Sequence, residues 1–218
     1  MKKKIFIGLI FGCFLNVFGQ SHVNYPQDGI YAGIESGVAR VIVSGTFGNK
    51  PVIDENEFIN ENYTKSVIGI NLGYGKYIDE SFIGIEVHYA IYTKKISESY
   101  NQGNLNFDIS IGSKSEIDLI IGRKIGIRSL LTLRGGIAFT NINLSAYNDF
   151  EKTLYVQDNK WNGFSLGMGY VYGINENLSI KTKYNLTTFK NNEVSAARAK
   201  LVDNRATLSL IYRIWSGS

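Results

Sequence analysis

Two histidines, one cysteine and 19 Asp and Glu residues are the chain's means for acid–base, nucleophilic or metal chemistry. His88, in "FIGIEVHYAIYT", follows Glu86 by two residues, so both fall on one side of an extended strand. A hydrolase would need such a histidine to activate a serine while a third group orients the ring. No serine stands two residues after His88, and His22 lies at the edge of an expected leader. Ligand spacings for a metal do not occur, and the acidic run 53–63, "IDENEFINENY", lacks the spaced carboxylates and glycine of a calcium loop. That run is expected to be a solvated loop. The glycines at 167, 169 and 173 could be mistaken for a phosphate cradle, but they neither follow a buried strand nor open a helix. The reading is of a protein that is not an enzyme and uses no cofactor or metal.

The elements that must position these residues are strands. In "FSLGMGYVYGINENLSIKTKYNL" (164–186), Phe164, Leu166, Met168, Tyr170 and Tyr172 alternate with Ser165, Gly167, Gly169, Val171 and Gly173. After the turn-forming "NEN", Leu178, Ile180, Thr182, Tyr184 and Leu186 alternate with Ser179, Lys181, Lys183 and Asn185. Period two is the mark of a strand with two unlike faces. The same pattern occupies 29–40, 66–76, 81–92, 116–124, 130–140 and 205–215, giving eight strands. Short joins ("YIDE", "IGIRS", "INEN") alternate with long ones at 41–65, 93–114, 144–161 and 190–204. A soluble sandwich gives no reason for every second turn to be tight. An outer-membrane barrel does, with tight periplasmic turns and long outer loops. The strand lengths suit a tilted crossing of 9–11 residues, and pairing the first strand with the last leaves no edge in lipid.

The chain opens "MKKKIFIGLIFGCFLNVFGQ", a basic start, an apolar run and small residues before an expected cut ahead of Gln20. Residues 1–19 are read as a signal peptide and 20–218 as one barrel domain in the cell outer membrane. The cut removes Cys13 and three lysines, so the balance of 23 Lys+Arg to 19 Asp+Glu falls to near parity. Nucleic acid is therefore not an expected partner. Tyr74, Tyr172 and Tyr212 are placed near the periplasmic rim, and Phe139 and Phe164 near the outer one.

If the apolar faces meet lipid, the opposite faces line the lumen. They carry Glu35, Glu86, His88, Glu116, Asp118, Lys124, Arg134, Lys181, Lys183 and Arg213, with Asn71 and Asn185. Eight strands enclose only enough space for their own side chains, so these charges are expected to form crossed ion pairs in a plugged core. The glycines at 167 and 169 are expected to make room for the long arms.

The segments "GINLGYGKYIDESFIGIEVHY", "LLTLRGGIAFTNI" and "FSLGMGYVYGINENLSIKTKYNL" resemble the strand–turn–strand signatures of the porin-family, OmpA-like or opacity-type outer-membrane barrels. "ATLSLIYRIW" is similar to the carboxy-terminal strand read by the barrel-assembly machinery, although "SGS" follows Trp215. The resemblance implies outer-membrane lipids and lipopolysaccharide as surroundings, the assembly machinery as a partner in biogenesis, and roles from envelope integrity to adhesion to small pores. Three readings follow: a structural or surface-interacting barrel with partners at its outer loops, a small passive porin, and a lipid A-modifying enzyme. The first is preferred.

Overall fold

The computed structural model describes residues 27–47, 59–93, 99–102, 105–148, 153–194 and 197–216. The expected leader and His22 lie outside them. Nine strands follow in order: β1 (Gly29–Phe47), β2 (Ile59–Ile78), β3 (Ser81–Tyr92), β4 (Ser99–Gln102), β5 (Leu105–Gly126), β6 (Ser129–Asn148), β7 (Thr153–Gly173), β8 (Leu178–Val194) and β9 (Ala197–Trp215). Chain neighbours pair antiparallel except β3 and β4; β3 pairs instead with β5, and β1 pairs with β9 from Ile30↔Trp215 to Phe47↔Ala197. The sheet thus closes into an 8-stranded antiparallel barrel, with β4 as a short spur on β5. Among the described residues there is no helix.

Alternation dictates the inside and the outside. On β3 the burial strictly alternates, with Ile83, Ile85, Val87, Tyr89 and Ile91 exposed outward and Phe82, Glu86, His88 and Ala90 buried inward. The outward belt ends together on all sides. Val38, Ile91, Phe139 and Leu186 are the last large hydrophobics exposed on their strands, and Arg40, Thr93, Asn141 and Thr188 are the next outward positions. A belt of that depth, with the polar atoms of its backbone tied into ladders, is what a lipid crossing requires. The burial pattern is inverted relative to a soluble protein because the outside is the apolar phase.

Three short turns at one end match expectation, at Asp79–Glu80, Ile127–Arg128 and Ile174–Asn177. Asp79 takes a left-handed φ of 55° to make the tightest of them. At the far end, most of the joins expected as loops are strand. β1 runs on to Phe47, β2 starts at Ile59 inside the run expected to be a solvated loop, and β5, β6, β7, β8 and β9 take most of 105–114, 144–161 and 190–204. The polar, weakly alternating sequence there hid strands that have no lipid side.

Among the described residues the upper strands do not close a cylinder. β2–β3 pairing ends at Val67↔Tyr92 and β7–β8 pairing at Gly163↔Phe189. By contrast β1–β2 continues to Gly45↔Ile59, β8–β9 to Val194↔Ala197, β5–β6 to Leu105↔Asn148 and β6–β7 to Asn148↔Thr153. Above the belt the described residues therefore form two leaves, β8-β9-β1-β2 and β4-β5-β6-β7, with no ladder joining β7 to β8 above Gly163↔Phe189 or β2 to β3 above Val67↔Tyr92.

Candidate functional site: the filled lumen

Along several strands the inward positions read apolar, then polar or glycine, then apolar again, while β8 begins polar at Ser179. β5 gives Ile120, then Asp118, Glu116 and Lys114, then Ile111; β8 gives Ser179, then Lys181, Lys183, Asn185 and Thr187, then Phe189. Stacked across the barrel these make three layers. Nearest the short turns lie Phe82, Ile120, Leu130 and Val171, with Tyr77 against Phe82 at a ring separation of 5.1 Å. At the far end lie Val41, Ile111, Ala138, Trp161, Phe189 and Leu201, with Tyr63 and Tyr92 against them. Both apolar layers were unforeseen, because the inward phase was read for its charges alone.

Glu86 is the hub of the middle layer. Lys181 Nζ donates to its two oxygens at 2.6 and 2.9 Å, and Arg134 Nη2 donates to Oε1 at 2.6 Å. His88 Nε2 lies 2.5 Å from the same carboxylate, while Nδ1 faces Lys183 Nζ at 3.1 Å. The Nε2–H tautomer satisfies both, donating to Glu86 and accepting from Lys183. Lys183 also reaches Glu35 at 3.1 Å, Arg134 Nε reaches Asp118 at 3.2 Å, and Ser165 donates to Asp118 at 2.9 Å. A second knot lies toward the far end. Lys114 bonds Asp203 at 3.0 Å, Thr187 at 2.5 Å and Glu116 at 3.3 Å, and Arg205 closes on Asp203 at 3.1 Å. Asn185, donating to Glu116 at 3.3 Å, ties the second knot to β8 beside Lys183.

Of the residues expected in the network, Glu35, Glu86, His88, Glu116, Asp118, Arg134, Lys181 and Lys183 come together. Lys124 and Arg213 do not join them. Lys124 sits 4.6 Å over the Tyr77 ring, and Arg213 donates to Asn177 Oδ1 in the last short turn at 3.2 Å. Both have the inward phase but stand at the short-turn end, out of reach of the central acids. Lys114, Asp203 and Arg205 were missed. Lys114 and Asp203 continue the same phase beyond the strand ends drawn from the sequence, and Arg205 is the first residue of the strand drawn as 205–215, left out of the inward set.

The corrected layer holds five acids, Glu35, Glu86, Glu116, Asp118 and Asp203, against five bases, Lys114, Arg134, Lys181, Lys183 and Arg205, with every side chain at most 4% exposed. Such balance matters because a buried charge left without a partner costs several kcal/mol, roughly 3–5. It also fixes register, since a slip of one residue would turn the ions to lipid. The glycines provide the space. A Cβ on Gly167 would fall on Asn185 Oδ1, and one on Gly136 on Asp118 Oδ1. The room made at Gly167 thus serves Asn185 rather than Lys181 or Lys183.

Chemically this interior is occupied. His88 is 1% exposed, sealed between two apolar layers and held by Glu86 and Lys183, where no substrate reaches it. Among the described residues no three His, Cys, Asp or Glu side chains form a metal set.

A closed barrel, apolar outside and ion-filled inside, is of the transmembrane kind found in bacterial outer membranes. Two solved outer-membrane structures agree on the fold. OprG, an outer membrane protein of Pseudomonas aeruginosa, superposes with a TM-score of 0.54 at 13% identity, covering 87% of this chain and 98% of that one. The outer membrane protease OmpT of Escherichia coli gives 0.52 at 10% identity, covering 85% and 97%. Neisserial surface protein A gives 0.48 at 10% identity, over 86% and 98%. No family model and no curated protein sequence matches the chain.

Proposed function

We propose that this chain is an exported outer-membrane barrel of the OmpA-like, opacity-type kind, with a structural and surface-interacting role and a lumen that does not conduct. The carrying observation is the charge-balanced ionic layer sealed between two apolar layers. An ion entering from either side would have to leave water, cross an aromatic or aliphatic layer and displace bonds of 2.6–3.3 Å. The upright orientation places the short turns in the periplasm and the two leaves outside. Residues 1–19 supply the export signal, and the closing strand Ala206–Trp215 offers its pattern to the assembly machinery. Outer-membrane lipid and lipopolysaccharide cover the belt. The protease role of OmpT does not transfer, because the one patterned histidine here is spent inside the wall.

Planar-bilayer recording of the refolded mature chain, residues 20–218, tests this. With insertion verified, the bilayer is expected to stay silent, and neutralising Lys181 or Glu116 is expected not to create a graded conductance. Discrete steps that change with either substitution would make the protein a small porin.

A further inference from the structure

The lipid-facing belt carries a site of its own, an inference that rests on the barrel's lying upright in an outer membrane as proposed above. Five outward residues meet in one register row across five strands: Val87, Leu72, Ala32, Tyr212 and Leu178. Four are large, and Ala32 at the centre is small. Ile34, two residues on and also outward, lines the upper end of the gap that Ala32 leaves. The result is a groove of about 570 Å³ on the outer wall, almost wholly apolar. That is the size of a small-ligand cleft, about 300–1,000 Å³.

The groove has a polar end. Toward the short turns the next outward row is Tyr74, Ile30 and Trp215, brought into line by the β1–β9 register shift between Ile30 and Tyr31. Aromatic rings that carry a polar atom favour the level of lipid headgroups. One step further on β2 stands Lys76, exposed and outward, with no carboxylate partner among the described residues. It lies four residues from Leu72 on the same face, roughly 13 Å at the rise of a strand. Cation, aromatic rim and apolar groove follow in the order of a phospholipid read from its phosphate into its chains. We infer that the groove seats an acyl chain of an anionic phospholipid from the leaflet on the short-turn side, with Lys76 on the phosphate. The gap is one residue wide, which suits a single hydrocarbon chain. A second barrel would meet the large side chains on either side of Ala32 first.

The test is native mass spectrometry of the refolded mature chain, residues 20–218, released from detergent micelles doped with phosphatidylglycerol. One retained lipid per barrel is expected. Ala32→Trp, which fills the gap, is expected to lower the retained fraction at least fivefold. Leu133→Trp, on the belt of β6 and four strands from β1 in either direction, is expected to leave it unchanged. Lys76→Gln is expected to lower retention of phosphatidylglycerol at least threefold and to leave unaffected that of a diacylglycerol with the same chains and no phosphate. Glycerol phosphate, which has no chains, is expected not to bind. Equal retention by Ala32→Trp, an equal loss in Leu133→Trp, binding of glycerol phosphate in place of the lipid, or protein dimers that Ala32→Trp abolishes would each overturn the proposal. Heat-dependent gel mobility verifies the folding of each variant, and conductance of the same preparation separates the failures. A conducting barrel that loses its lipid in Ala32→Trp would sink the sealed-lumen reading alone, and a silent, folded barrel that retains none would sink the lipid site alone.

Discussion

The two halves of the barrel solve the edge problem in opposite ways. At belt level every strand has a neighbour on both sides and the interior is spent on its own side chains. Above the belt the same strands part into two leaves among the described residues, β2–β3 pairing ending at Val67↔Tyr92 and β7–β8 pairing at Gly163↔Phe189. Lipid explains the difference. Within the belt an unpaired N–H or C=O has no water to turn to, so closure is compulsory. Outside, water meets that need, and closure is no longer compulsory. The lower half is thus specified by side chains and the upper half by the backbone.

Substitutions can break or sharpen that contrast. Replacing Glu86 with Ala leaves Lys181, Arg134 and His88 facing an empty hub, and denaturant unfolding should show a loss of about 3–5 kcal/mol. A loss below about 1 kcal/mol would mean that the interior is wetter than its burial implies. Gly167→Leu should cost about 1–3 kcal/mol through overpacking against Asn185 and lower the refolding yield. Gly112→Leu is its control, since a Cβ there meets nothing closer than Asn141 O at 3.4 Å. Equal yields for the two would remove the glycine argument. Arg123→Ala breaks a 3.2 Å pair with Glu80 that is largely open to water, and a change of at most about 1 kcal/mol is expected in thermal or chemical unfolding. Smallest of all should be Asp158→Pro, within about 0.5 kcal/mol by the same measurement: Ile174 N–H bonds Leu178 O toward β8, the β6–β7 ladder runs unshifted, and so Asp158 N–H points to the β8 side, where the ladder ends at Gly163↔Phe189. A large loss there would show β7 and β8 paired above the belt, and the two halves would no longer differ.

The sequence made the lower half legible and the upper half obscure for one reason. Where lipid lies outside, residues such as Leu166, Met168 and Leu208 must alternate with Gly167, Gly169 and Ser209, and period two is plain. Where water lies on both sides, "INENYTK" and "TLYVQDNK" are under no such demand, so β2 and β7 were drawn too short. Lys114 and Asp203 went unseen with the strand segments that carry them, and Arg205 stood at the first position of a drawn strand without being assigned to the lumen. The β5 register shift between Ile111 and Lys114 hid the phase further. Lys124 and Arg213 show the converse limit. Phase tells which face a residue takes but not the height at which it sits.

The interior pairs also have a consequence in time. Lys181 and Glu86 are 95 residues apart, and Tyr92 and Asp203 are 111 apart, so neither contact forms from local structure. Chain-distant contacts make folding slow, because loop closure is paid before they reward it. Joining β1 to β9 should therefore come late, with the charged side chains hydrated until that seam shuts. An agent that holds the first and last strands together during insertion would shorten the wait without altering the finished barrel.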